Sequence, residues 1–92
     1  MNTPLVTIQQ SDKEVGWGKL GAVMPKGDKG AQLTLNDVHM AEGVEFEISG
    51  PFRVTVEEKR FEKCTPVNFR NLRPGCDYDR VIFETDLKPR LR

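Results

Sequence analysis

The sequence predicts an all-β domain, and three observations lead to this fold class. Apolar and polar residues alternate in residues 44–48 and 52–56, which is the period of a half-buried strand. Five to seven short strand candidates recur every 8 to 14 residues, and turn residues such as Ser-Gly-Pro separate several of them. No segment carries the 3.6-residue period of an amphipathic helix. We therefore expect one domain over residues 1–92, built as a small antiparallel β-sandwich or as a five-stranded barrel.

The first strand is predicted at residues 5–8, which read Leu-Val-Thr-Ile. Residues 11–18 are polar and contain glycine, which predicts a loop or an irregular strand around Trp17. Residues 36–43 predict a connector, because one helical turn there would be too short to form a stable helix.

A tight hairpin is predicted within residues 19–35. Its two apolar segments flank the sequence Pro-Lys-Gly-Asp-Lys-Gly, and these residue types favour a turn. If Met24 lies opposite Ala31, the same register places Leu20 opposite Leu35.

A second hairpin is predicted between residues 44–48 and 52–56, joined by Ser-Gly-Pro. In this register the apolar side chains of both segments fall on one face. Glu47 then lies opposite Arg53 on the outer face, where opposite charges stabilise a strand pair.

The C-terminal half is more highly charged and predicts shorter strands. Phe61 is the apolar anchor of the charged residues 57–63, and residues 67–69 predict a short strand. Residues 78–84 predict a longer strand. Residues 1–4 are expected to fray, and residues 87–92 predict either an edge strand or a frayed tail. Two inward-facing sets are open for the longer strand: Val81 with Phe83, or Tyr78 with Ile82. No internal repeat is evident from the sequence.

Two segments resemble known proteins. Residues 71–78 read Asn-Leu-Arg-Pro-Gly-Cys-Asp-Tyr, and an apolar strand follows to residue 83. This order resembles the tyrosine corner of fibronectin type III and immunoglobulin-like domains, and the resemblance implies a sandwich in which the Tyr78 hydroxyl bonds to upstream backbone. Residues 19–48 resemble a hairpin of small proteins of unknown function that phages and plasmids carry, which implies an origin in a mobile element.

Charge and composition exclude several classes of protein. Fourteen basic residues balance fourteen acidic ones, whereas a general binder of polyanions carries a basic excess. No apolar run approaches the ~18 residues of a membrane-spanning helix, so no membrane partner is expected. The N-terminal residues lack the pattern of a secretory signal, which predicts a cytoplasmic protein. Cys64 and Cys76 are then expected to be reduced thiols.

The sequence offers no convincing catalytic or metal-binding pattern. His39 stands near Asp37 and Glu42, but a single histidine without a second nitrogen or thiol ligand is weak support for a metal site. Ser11 and Ser49 both fall in predicted turns rather than in a nucleophile elbow. We therefore expect a protein without enzymatic activity, metal or cofactor.

The leading hypothesis is a non-enzymatic protein–protein interaction module, such as an inhibitor or adaptor of a host protein that a phage or other mobile element encodes. A β-scaffold with polar loops can present contacts, and tryptophan and arginine are favoured anchors. The residues expected to contact the protein partner are Trp17, Lys26, Asp28, Lys29, Arg70 and Arg73.

Two alternatives remain open. The first is an OB-like barrel that binds single-stranded nucleic acid, because such barrels combine basic and aromatic side chains on a sheet. Its expected binding residues are Lys59, Arg70, Arg73 and Arg80. The second is a small structural component of a virion or other assembly, which would form a homo-oligomer.

Overall fold

The computed structural model describes residues 5–41, 51–71 and 77–91. Within these ranges every regular element is a β-strand, so the all-β prediction is confirmed. In chain order the strands are β1 (Leu5–Gln10), β2 (Lys13–Lys26), β3 (Gly30–Met40), β4 (Phe52–Val56), β5 (Lys59–Asn71), β6 (Asp77–Thr85) and β7 (Arg90–Leu91). No helix long and apolar enough to cross a bilayer occurs among the described residues.

Six strands close into an antiparallel barrel. Their order around the barrel is β1, β2, β3, β6, β5 and β4, and β4 pairs again with β1. The predicted sandwich is therefore wrong, and the predicted barrel has six strands instead of five. The reason is the length of β2 and β5, each of which pairs with two partners along different stretches and joins the two layers into one wall.

The N-terminal half contains more strand than the sequence suggested. The first predicted strand is confirmed as β1 and continues to Gln10. Of the two alternatives for residues 11–18, the irregular strand is confirmed: only Ser11 and Asp12 form a turn, β2 begins at Lys13, and its pairing with β3 shifts register after Trp17. The predicted connector at residues 36–43 is wrong up to Met40, because β3 continues to that residue across an irregularity at Asp37, whose φ is 50°.

The hairpin between β2 and β3 is confirmed, with part of its register shifted. Leu20 pairs with Leu35 as predicted, but Met24 pairs with Gln32 rather than with Ala31. The shift arises between Leu20 and Ala22, where one strand carries an extra residue.

The partners predicted for β4 were wrong. Both of its edges are occupied, one by β1 and the other by β5. Residues 44–48, the predicted hairpin partner, lie outside the described residues, as does Glu47. Arg53 instead donates hydrogen bonds to the carboxylates of Glu62, at 2.7 Å, and Asp12, at 3.2 Å.

In the C-terminal half, β5 joins two segments that were predicted separately. It runs without interruption from the charged residues 59–63 through residues 67–69, and Phe61 is the buried anchor as predicted. In β6 both Val81 and Phe83 point into the barrel, as in the first predicted set.

Tyr78 is also buried, where its ring meets Phe69 edge to face at 5.9 Å. Its strand β6 pairs with β3 and β5 in the barrel wall, so the sandwich that the tyrosine-corner resemblance implied is not formed. Residues 72–76 of that motif lie outside the described residues.

Apolar side chains fill the barrel interior. Their centre includes an edge-to-face contact between Phe52 and Phe83, whose ring centroids are 5.8 Å apart. Cys64 is a fully buried free thiol, whereas Cys76 lies outside the described residues. The other buried apolar residues are Val6, Ile8, Val15, Ala31, Leu33, Leu35, Val38, Met40, Val54, Val56, Phe61, Tyr78 and Val81.

The strand pairings follow an internal two-fold pattern that the sequence did not suggest. Ile8 pairs with Val54 and Leu35 with Val81, and in both pairs the residue numbers differ by 46. The lengths of β1, β2 and β3 are 6, 14 and 11 residues, and those of β4, β5 and β6 are 5, 13 and 9. The barrel is thus built from two similar three-stranded meanders.

Truncation of an interior leucine should destabilise the fold far more than truncation of an exposed one. Leu33 is fully buried, so Leu33→Ala should lower the free energy of unfolding by about 2–5 kcal/mol. Leu5 is 64% exposed, and Leu5→Ala should change it by less than about 0.5 kcal/mol. Urea denaturation followed by circular dichroism measures both values, and equal losses would contradict the described interior.

Candidate functional site

A row of six outward-facing positions crosses one face of the barrel. Successive strand pairings place these residues side by side, and side chains at directly paired positions share a face. With neighbouring strands ~4.8 Å apart, the row spans roughly 24 Å along the curved surface. We call it the cross-strand row, and in order it contains His39, Trp17, Thr7, Thr55, Arg60 and Arg90.

Trp17 dominates the first end of this row. Its side chain is 48% exposed, and its ring lies 5.6 Å from the His39 ring at an angle of 33°. Leu5, 64% exposed, occupies the diagonal position on β1, because Leu5 pairs with Lys19 while Thr7 pairs with Trp17. The result is an exposed apolar patch on two paired strands.

The glycines on either side of Trp17 explain why it faces outward. Gly16 and Gly18 occupy the inward positions, where β2 packs closely on β3. A Cβ atom on Gly18 would lie 2.9 Å from Val38 Cγ2, and one on Gly16 would clash with the Met40 side chain. The inner face therefore has no room for a side chain here, and the intervening Trp17 is held on the outer face.

Arginine residues dominate the other end of the row. Arg60 is half-buried, and its Nε atom is buried without a hydrogen-bond partner. It lines a polar groove of about 400 Å³ with Arg53, Glu14 and the two threonines of the row. Arg53 is already paired, and its hydrogen bond to Glu62 raises the pKa of its guanidinium.

A second groove, of about 510 Å³, adjoins the first one at Arg53. Its walls carry Lys63, Lys88 and Arg90, which are all exposed and form no ion pair within the described ranges. The C-terminal segment is fixed beside it by Thr85, whose hydroxyl donates to the Glu62 carbonyl at 2.6 Å and accepts from the Leu87 amide.

The residues predicted to contact a protein partner are not gathered in one place. Lys26 is engaged by Glu84 at 3.0 Å and Asp86 at 3.5 Å, and the hydrogen bond to Glu84 raises the pKa of its ammonium group. Asp28 and Lys29 are exposed at the tip of the β2–β3 hairpin. Lys26 follows Trp17 by nine residues on the same strand, roughly 30 Å at ~3.3 Å per residue. Arg70 lies on β5, and Arg73 lies outside the described residues.

The residues predicted for nucleic-acid binding are also divided. Arg80 is exposed on β6 and pairs in register with Arg70 on β5. Lys59 begins β5, at the opposite end of that strand from Arg70, and pairs with Val56 and Leu91. The structure therefore joins two of the four predicted residues.

Sequence reasoning missed the cationic groove and the setting of Trp17. The sequence shows that its four cations are basic residues, but only the return of β7 to the start of β5 brings them together: Arg60, Lys63, Lys88 and Arg90.

Within the described residues, no group of three histidine, cysteine, aspartate or glutamate side chains could hold a metal ion. Comparison with protein-family models, curated proteins and solved structures found no match to this chain.

The Cys64 thiol should be inert in the native protein. Burial raises its pKa to about 12, and its Sγ atom donates to the Phe61 carbonyl at 3.3 Å. At pH 8 only about one part in 10⁴ is then thiolate, the reactive form. In a Cys76→Ser variant we expect iodoacetamide to modify Cys64 in denaturant but not in native buffer, as measured by mass spectrometry.

The same thiol should make stability depend on pH. Above about pH 9 the unfolded chain loses the Cys64 proton while the folded chain retains it. The free energy of unfolding should therefore fall as the pH rises from 9 to 11, and this fall should be smaller in a Cys64→Ala variant. Rapid native alkylation, or an identical pH dependence in both proteins, would contradict the described burial.

Proposed function

We propose that this chain is a non-enzymatic module that binds a protein partner through the outer surface around Trp17. One observation carries the proposal: a tryptophan is almost half exposed on a strand that is paired on both edges, beside the exposed Leu5. Contact between apolar side chains and water is unfavourable in free energy. Adjacent exposed apolar side chains on a folded domain therefore commonly mark an interaction site. Tryptophan is also among the residues that most often dominate binding energy.

The neighbours of Trp17 hold its side chain in place before any partner binds, as suits an anchor residue. His39 supports one face of the indole ring, and the strand on which Trp17 lies is paired on both edges. An anchor held in this way loses little conformational freedom when a partner covers it. The free energy of burying the indole is then available for affinity.

The size of the surface is sufficient for such a contact. The chain exposes 6153 Å², and a standard protein–protein interface takes about 800 Å² from each partner. A patch of that area, roughly one eighth of the surface, would extend from His39 across Trp17 and Leu5 to the threonines of the row. The interior is filled by apolar side chains, so contacts have to be made on the outside.

The resemblance of residues 19–48 to phage and plasmid proteins favours one form of this proposal. In that form the partner is a host protein, and the chain acts as its inhibitor or adaptor in the cytoplasm.

Replacement of Trp17 should abolish capture of the partner. Wild-type protein immobilised on beads and incubated with lysate of its source cells should retain one stoichiometric protein, quantified by mass spectrometry. Trp17→Ala should weaken retention by at least about 30-fold, the effect expected when a hot spot contributes 2 kcal/mol or more. The matched control is Met24→Ala, which removes another exposed apolar side chain of β2, 57% exposed, and should retain the partner.

Two outcomes would contradict this proposal. The first is a wild-type protein that retains no stoichiometric partner. The second is equal retention by wild-type and Trp17→Ala protein, with both variants shown to be folded by their amide spectra.

A second candidate function, binding of single-stranded nucleic acid, is favoured by the pairing of Arg80 with Arg70. This register places two basic residues at neighbouring positions of the sheet, and small barrels that bind single strands present basic residues on a sheet in this way. A labelled oligonucleotide of thirty nucleotides should then shift at low salt with wild-type protein but not with Arg80→Gln. No described contact favours the third prediction, a structural component of an assembly.

A further inference from the structure

The C-terminal segment creates a cationic groove beside β5. After β6 the chain leaves the barrel wall at Asp86 and returns as β7, where Arg90 pairs with Arg60. The groove between this segment and β5 has a volume of about 510 Å³, and the Leu87 side chain forms its apolar part. We use the term basic groove for the groove together with the adjoining Arg60; its cationic side chains are Arg60, Lys63, Lys88 and Arg90.

The charge of the basic groove is not balanced by the protein. Arg53 also lines it, but that guanidinium is neutralised by Glu62 and Asp12. The four cations of the groove form no ion pair with any carboxylate among residues 5–41, 51–71 and 77–91. Four cations without a direct ion-pair partner, within two strands and one connecting segment, favour the binding of an anion.

Arg60 also carries a hydrogen-bond donor for which the described residues supply no acceptor. Its Nε atom is buried and lacks a hydrogen-bond partner, and such buried donors are rare in folded proteins. Since solvent does not reach Nε, an incoming carboxylate would be held by the terminal amino groups of the same guanidinium, which can form two parallel hydrogen bonds. Arg60 is therefore the position at which we expect an anionic group to bind.

We propose that the basic groove binds a short acidic segment of the protein partner; this inference rests on the proposed function. Its carboxylates would contact Arg60 and Arg90, while an apolar residue of the same segment reaches Trp17. Trp17 and Arg60 are three strand spacings apart in the cross-strand row, roughly 14 Å, which about four extended residues span. Thr7 and Thr55 lie between them and offer hydroxyl groups to the backbone of the segment.

Acidic residues around the basic groove favour a short segment over a long polyanion. Glu57 and Glu58 form the turn that precedes β5, Glu14 lines the adjoining polar groove, and Asp86 begins the C-terminal segment. A nucleic-acid backbone that continued past the groove would meet these carboxylates. A few glutamate or aspartate side chains on a protein could bind in the groove without meeting these carboxylates.

The test uses three hexamer probes with the 92-residue chain. Acetylated and amidated hexaglutamate is the probe, uncharged hexaglutamine is its control, and hexathymidylate represents nucleic acid. Amide chemical shifts are followed by nuclear magnetic resonance during titration at 20 mM and 200 mM salt. We expect hexaglutamate to shift the amides of Arg60, Lys63, Leu87 and Arg90, and to bind at least fivefold more weakly at the higher salt concentration.

Matched double variants separate the basic groove from general electrostatic attraction. Lys88→Gln/Arg90→Gln removes two exposed cations of the groove and should weaken hexaglutamate binding at least fivefold. Lys13→Gln/Lys29→Gln removes the same charge from exposed positions elsewhere and should weaken it less than twofold. The amide spectra show directly whether each variant remains folded.

Four results would overturn the inference. They are tighter binding of hexathymidylate than of hexaglutamate, equal binding of hexaglutamine, equal losses in the two double variants, and no binding of hexaglutamate at 20 mM salt. If Trp17-dependent capture of a protein persists in any of these cases, the groove inference fails while the proposed function stands. If hexaglutamate binds as expected but no protein is captured, the proposed function fails.

Discussion

The pairing of β1 with β4 is the constraint on which the rest of the structure depends. It closes the barrel and places Thr7 directly opposite Thr55. Without it the two meanders would remain joined only through β3 and β6, and the Trp17 and Arg60 ends of the cross-strand row would lie on separate edges. Closure also removes exposed strand edges from β1 and β4, which would otherwise be free to pair with other chains. One set of backbone hydrogen bonds thus determines both the fold and the candidate surface.

The two-fold pattern of the strands does not extend to the chemistry of this surface. Each residue of the first meander corresponds to the residue 46 positions later, and Trp17 corresponds in this way to Lys63. Ile8 and Leu35 correspond to the equally buried Val54 and Val81. Leu33 and Val38, in contrast, correspond to Asp79 and Glu84, which are polar and only half-buried. Lys13 and Lys59 form the one identical pair between the two halves of the sequence, so the repeat is recorded in the backbone and not in the side chains.

The sequence predicted the parts of the fold that depend on neighbouring residues. Alternation identified β4, and residue types that favour strands identified β1 and β6. Turn residues identified the β2–β3 hairpin. Partners distant along the chain, such as Thr7 and Thr55, leave no local pattern, so barrel closure could not be distinguished from a sandwich. The bulge after Leu20 shifted the hairpin register for a related reason, because an extra residue interrupts alternation without a signal of its own. Trp17 was identified from residue type alone, but the basic groove depends on the pairing of β7 with β5 and was not predictable.

The most direct test of this account is a nuclear Overhauser experiment on the β1–β4 pair. Backbone protons of directly opposite antiparallel residues are close enough for a strong effect. The structure predicts contacts from Thr7 to Thr55 across one strand edge and from Thr7 to Trp17 across the other. Contacts from Thr7 to Trp17 alone would show that β1 is an edge strand, and they would separate the tryptophan from the arginine side chains that the account places on one face.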